Sequence, residues 1–248
     1  MRLTLTRYLL PSSHYVLLAL LFFAGLQLAF WLHQWIVPLF AGLFVLMVIG
    51  ILLVRIEEQG RFRIMQAILP ILAVIGLTGF GLFLPPQLLQ LYFISASLLL
   101  FWLLKHGAKM AYPTWNWTLS TIVFFLDTAA LLGVRFHLYV PIIIILGGLL
   151  IISFLISLQA LRRITPTVSE AILIALTIGI GLTQLAWTLQ FLPLHYVVQA
   201  GILVAFYYVF FHLISVSYER PVRFKDIAEY ALIGAAALGI ILINARWR

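Results

Sequence analysis

The chain is a succession of long apolar runs separated by short polar turns. The runs lie at about 14 to 37, 38 to 54, 64 to 84, 86 to 104, 117 to 138, 140 to 160, 168 to 192, 194 to 216 and 227 to 245. As helices rising about 1.5 Å per residue, most are long enough to cross a hydrocarbon core of about 30 Å. Apolarity within each run is continuous rather than alternating, which excludes a closed barrel, and an open sheet would leave unpaired amides in lipid. The pattern predicts an all-α integral membrane protein, a polytopic bundle of about nine transmembrane helices forming a single transmembrane domain over 1–248. Arg2 and Arg7 followed by the first run imitate a signal peptide, but no small-residue cleavage site follows. The run reads as a retained first helix.

The turns alternate between two kinds. One is tight, proline-bearing and almost uncharged: Pro38, Pro85 with Pro86, Pro141 and Pro193. The other is basic: Arg55, Arg61 and Arg63; Lys105 and Lys109; Arg162 and Arg163; Arg220, Arg223 and Lys225. With Arg2 and Arg7 these sit on one face, against Arg135, Arg246 and Arg248 on the other. The positive-inside rule then places the amino terminus in the cytoplasm and the carboxyl terminus outside, provided the ninth segment spans. Trp31, Trp35, Trp187 and Trp247 fall near the outer interface and Trp102, Trp115 and Trp117 near the inner one, as an aromatic belt requires. The short loops and this charge bias predict a cytoplasmic membrane of prokaryotic type.

Composition narrows the function classes. The chain is 65% hydrophobic and 9% charged, where a soluble domain carries about 25% charged residues. A soluble enzyme and a nucleic-acid binder are both excluded, because the net charge of +8 comes from cations that flank spans rather than form a patch. The predicted partner is the lipid bilayer, with no nucleic acid. Cysteine is absent, which removes disulfides, thiolate nucleophiles and thiolate metal sites.

Short sequences recur in order. Ile75-Gly76-Leu77-Thr78 matches Ile180-Gly181-Leu182-Thr183, Phe83 to Pro85 matches Phe191 to Pro193, and Val37-Pro38 matches Val140-Pro141, with His33 and His137 just upstream. The matches suggest two parallel four-helix repeats, over 14–105 and 117–217, followed by a C-terminal helix within 227–248. An even number of spans per copy makes the halves parallel, an arrangement known in secondary transporters, where Gly- or Pro-interrupted helices at corresponding positions mark a binding site. Pro70, Gly76, Gly79 and Gly81 interrupt the third run; Gly179 and Gly181 lie in the seventh. Close helix packing explains such glycines equally well.

Charged residues inside spans are costly and therefore informative. Glu170 follows Thr167, and Glu229 follows Asp226, at capping-box spacing, so both read as caps of their helices. Asp127 has no such explanation, because it lies near the middle of the fifth run. Loss of hydration favours its neutral form unless a cation or several donors stand close. Arg135 is eight residues further on, about 12 Å along the axis and off the same face, so the two do not pair directly. Partners at similar depth include Gln27, Thr78, Ser95, Ser97, Thr183, Gln184, Tyr207 and Tyr208. Asp127 is either a proton or cation site or a neutral acid locking two helices.

A second polar group gathers toward the outer ends: His33, Gln34, Gln87, Gln90, Arg135, His137, Gln184, Gln190, His195 and Gln199. It reads as an outward vestibule with Arg135 as an anion contact. The histidines carry no ligand spacing, and no metal or cofactor is expected. The eighth run is rich in aromatics, Tyr196, Phe206, Tyr207, Tyr208, Phe210 and Phe211, which suits packing or a lipid-tail or quinone pocket. Ala231, Ala235 and Gly239, four apart, permit close approach of a partner helix or a second copy.

No His-Glu-x-x-His, Gly-x-Ser-x-Gly or phosphate-cradling glycine loop occurs, so no catalytic residue is assigned. The sequence favours a transporter-like protein for a small solute, or one coupled to protons, with a site drawn from Asp127, Thr78, Thr183, Gln184 and Arg135. A non-catalytic scaffold or assembly subunit of a membrane complex is the alternative, and an intramembrane lipid-modifying enzyme the third reading.

Overall fold

The computed structural model describes residues 3–32, 36–59, 64–107, 113–162, 164–219 and 221–243. Among these, nine helices follow one another: α1 (Leu3–Trp31), α2 (Ile36–Gln59), α3 (Ile64–Gly81), α4 (Pro86–Gly107), α5 (Pro113–Leu138), α6 (Ile142–Leu161), α7 (Val168–Leu189), α8 (Tyr196–Glu219) and α9 (Phe224–Ile243). Seven are long and apolar enough to cross a membrane, through His14–Trp31, Pro86–Lys105, Trp117–Leu138, Ile142–Leu161, Val168–Leu189, Tyr196–Tyr218 and Phe224–Ile243. The apolar stretches of α2 and α3 are shorter, Ala41–Leu52 and Ala67–Gly81. The protein is an all-α, multi-pass membrane protein. Lipid explains its exposed apolar side chains, such as Leu98, Ile143, Leu173 and Ile240.

Element boundaries follow local chemistry. Thr167 caps α7, its hydroxyl accepting from the Glu170 amide at 3.3 Å, as its spacing predicts. The Glu170 carboxylate does not reach back to the cap; it accepts from the Tyr218 hydroxyl and ties α7 to α8. Asp226 differs from its expected place at the start of α9. The helix begins at Phe224, and Asp226, in its first turn, accepts from the Arg223 amide at 3.0 Å. It therefore supplies the back-reaching half of a capping box rather than the cap itself. Pro38 likewise lies inside the first turn of α2 and not in the connecting turn, a position where its missing N–H costs no helical bond.

The chain divides into two compact units, 1–116 and 117–248. In the first, α1 packs on α2 and α4, while α3 packs on both α2 and α4, so the four helices close a ring. Phe22, Leu26, Met47, Ile51, Phe93 and Leu100 fill it. Gly25 and Gly50 let α1 and α2 approach closely. A Cβ at Gly25 would lie 2.5 Å from Leu43 Cδ1, and one at Gly50 2.5 Å from Leu18 Cδ2.

In the second unit α7 packs on α6 and α8, and α8 on α9. Gly179 brings α7 against Leu150 and Ser153 of α6, and Gly234 brings α9 against Val209 of α8. Helix α5 joins through side chains: Leu131 meets Gly148 of α6, and Phe124 meets Tyr207 of α8 with ring centroids 4.7 Å apart. Arg2, Arg61, Arg63, Lys109, Arg163, Arg220, Arg246, Arg248, His33, Gln34, Trp35 and Trp247 lie outside the described residues, as does the side chain of Trp115.

Candidate functional site

Helix α5 places Asp127 inside the second unit. The residue is 1% exposed, and neither carboxyl oxygen has a hydrogen-bond partner among the described residues. Ser120 and Thr128 lie seven residues before it and one after, on the side of α5 that also carries Phe124. Both are buried with unpartnered hydroxyls. Tyr207, its ring tilted against Phe124, turns its hydroxyl toward Ser157 of α6, but the two oxygens do not reach hydrogen-bond geometry. Ser215, two turns beyond Tyr207 on α8, has a buried, unpartnered hydroxyl as well. The side-chain Oε1 of Gln159 completes the set among the described residues.

These atoms belong to α5, α6 and α8 alone, so the hydrogen-bonding deficit is concentrated in one unit. Serine and threonine in apolar helices normally return their hydroxyls to the carbonyl one turn back. Thr78, Ser95, Ser97, Thr121, Ser153 and Thr183 all do so. Ser120, Thr128, Ser157 and Ser215 of the second unit do not, and are the exception. An unpaired buried polar group costs about 1–3 kcal/mol, and such groups in native proteins call for a partner other than the protein.

Arg135 occupies the last turn of α5 and lines a different cavity, of about 420 Å³, with Leu132, Phe136, Tyr139, Val140, Gln190, Tyr196 and Gln199. Its Nε donates to Gln190 Oε1 at 2.8 Å, Gln190 Nε2 donates to Gln199 Oε1 at 2.8 Å, and Gln199 Nε2 donates to the Leu194 carbonyl at 3.0 Å. Nη1 also donates to the Val140 carbonyl at 3.5 Å. His137 and His195 pack beside the Tyr196 ring, at 5.6 and 4.3 Å between centroids, and beside Phe136. No cluster of three metal-ligating side chains occurs among the described residues.

The sequence-derived site residues therefore separate. Asp127 and Arg135 share α5 but face different surroundings. Thr183, on α7, bonds to the Gly179 carbonyl at 2.7 Å, and Gln184 beside it is exposed. Thr78 belongs to the first unit, where its hydroxyl donates to the Val74 and Ile75 carbonyls. Of the suggested partners for Asp127, Tyr207 lies in the same buried interior. Gln27 instead pairs with Gln90 at 2.8 Å. Ser120, Thr128, Ser157 and Ser215 were not singled out by sequence, although Ser120 and Thr128 stand at a helical interval from each other.

Fold and site together define a class: a multi-pass helical membrane protein whose second unit buries an unpartnered carboxyl group and several unpartnered hydroxyls. The chain belongs to the family described as protein of unknown function DUF5656, whose model matches residues 63–244, from the start of α3 to the end of α9. No curated protein and no solved structure matches the chain.

Proposed function

We propose that the protein is a carrier that moves protons, alone or with a small solute, across the membrane, and that Asp127 is the group that takes up and releases the proton. The observation that carries this reading is the carboxyl group itself, 1% exposed with both oxygens unpartnered. A neutral acid serving only to lock helices would spend its O–H on an interhelical hydrogen bond; Asp127 makes none among the described residues. The unpartnered hydroxyls of Ser120, Thr128, Ser157 and Tyr207 supply donors and acceptors through which water or a solute reaches it. Intramembrane acids are costly, and proton relays are one of the roles that retain them.

The four-helix segments 14–105 and 117–217 are read as copies, with α9 as an addition to the second. In unit 1 a glutamine pair, Gln27 with Gln90, joins the first helix to the fourth, and in unit 2 the Arg135–Gln190–Gln199 chain likewise joins α5 to α8. The charge bias of the loops supports an amino terminus in the cytoplasm.

Purified protein reconstituted into liposomes with a pH-sensitive dye inside tests the proposal. Wild type is expected to dissipate an imposed pH gradient well above protein-free liposomes, and Asp127→Asn to lose this at least tenfold while keeping its unfolding temperature. Equal flux by wild type and variant, or no flux above the protein-free rate, would overturn it.

One observation favours a scaffold as the second reading. Ala231 and Ala235 on α9 are exposed, and a Cβ at Gly239 would meet nothing within 4 Å, so the stripe is left open for another helix. Ala235→Leu with Gly239→Leu should then shift the assembly state on native gels; an unchanged band counts against it.

A further inference from the structure

We infer that the Arg135 cavity binds the phosphate headgroup of an anionic lipid, whose acyl chain lies in the apolar groove between α5, α8 and α9. The argument begins with hydrogen-bond direction. A guanidinium only donates and a backbone carbonyl only accepts, so the chain from Arg135 through Gln190 and Gln199 to the Leu194 carbonyl is fixed at both ends. Each glutamine carbonyl accepts one bond within it. The guanidinium keeps donors to spare: of its five N–H groups, one is used by Gln190 and one by Val140. The other three have no acceptor among the described residues. Arg135 is half-buried and pairs with no carboxylate there. A partly desolvated cation in a donor-rich cavity matches an oxyanion, and the planar guanidinium fork suits phosphate in particular.

Position identifies the source of that phosphate. Arg135 lies three residues from the end of the Trp117–Leu138 span, at the depth of lipid headgroups, and basic pockets between transmembrane helices are a known means of holding them. A groove of about 660 Å³, lined almost wholly by apolar atoms, runs beside α5 through Phe125, Gly201, Ala205, Gly234 and Ala237. On α5 the groove residues Thr121 and Phe125 and the cavity residues Leu132 and Phe136 fall at i, i+4, i+11 and i+15, one side of the helix. A free anion would use the cavity and leave the groove idle; a phospholipid uses both.

The full-length protein, purified in neutral detergent, is titrated with dioleoyl phosphatidylglycerol, dioleoyl phosphatidylcholine or inorganic phosphate, and adducts are counted by native mass spectrometry. Phosphatidylglycerol is expected to saturate at a concentration at least tenfold below phosphatidylcholine. Arg135→Gln should weaken it roughly ten- to hundredfold, the loss expected for hydrogen bonds to a charged group, with phosphatidylcholine binding and unfolding temperature unchanged. Arg135→Lys should keep part of the preference, and Ala237→Trp, which fills the groove, should weaken phosphatidylglycerol several-fold. An unchanged preference in Arg135→Gln would overturn the site. Competition by inorganic phosphate at micromolar concentration, with Ala237→Trp indistinguishable from wild type, would overturn the lipid and leave a soluble anion. Neither outcome depends on Asp127 or on proton flux.

Discussion

Asp127 sets the energetic problem at the residue scale. A buried carboxyl with no hydrogen-bond partner destabilises its unit, and replacing it with an apolar side chain of comparable size removes that cost. Asp127→Leu is therefore expected to unfold at the same or a higher temperature than wild type, by up to about 1–3 kcal/mol, while losing proton flux. Clear destabilisation in a thermal melt of the detergent-solubilised variant would show that the carboxyl is satisfied and structural. Asp127 was legible in the sequence because it lies deep within an apolar run, where Glu170 and Glu229 stand in the first turn of theirs. Its surroundings were not. Thr78 and Thr183 stood out as members of a repeated motif, yet both return their hydroxyls to their own helices. Ser120, Thr128 and Ser157 look no different in sequence and do not. Whether a hydroxyl bonds its own backbone depends on its rotamer and neighbours, which spacing does not encode.

Among the elements, glycine controls how closely helices pack. Gly179 sits against α6, where an added Cβ would meet Leu150 Cδ1 at 3.2 Å, Ser153 Oγ at 3.3 Å and the Leu150 carbonyl oxygen at 3.4 Å. The backbone atom cannot rotate away. Gly179→Val should force α6 and α7 apart and cost about 1–3 kcal/mol; Gly181→Val, two residues on with nothing within 4 Å of its Cβ, should be neutral to within about 0.5 kcal/mol. Similar losses in both variants, measured by thermal unfolding, would contradict this packing. Sequence located the helices well because apolar length and turn chemistry act locally. It does not tell which glycine faces a neighbour: Gly179 and Gly181 lie in the same run, yet only a side chain at the first would meet α6. On α9 the small-residue stripe was legible, but the glycine that meets α8 within the chain is Gly234.

For the whole molecule, the distribution of polar groups matters more than their number. Among the described residues the buried unpartnered atoms lie in the second unit, on α5, α6 and α8, and α5 also carries Arg135 at its end. The family match spans α3 to α9 and so includes every element that contributes to either site. In the proposed carrier, a hydrated seam along α5, α6 and α8 gives Asp127 access to water.

Because the chain contains no cysteine, single cysteines at Thr128 and Ser157 report on that seam without background. Each variant, in sealed vesicles, is treated with a small water-soluble methanethiosulfonate reagent, with cysteine at Tyr139, 89% exposed, as the labelling control. The account predicts modification of both buried positions, slower than the control and faster than at Ile145, which is buried toward the other end of α6. Complete protection of Thr128→Cys and Ser157→Cys, with the Tyr139 control labelled, would mean a dry interior and would contradict the role given to Asp127.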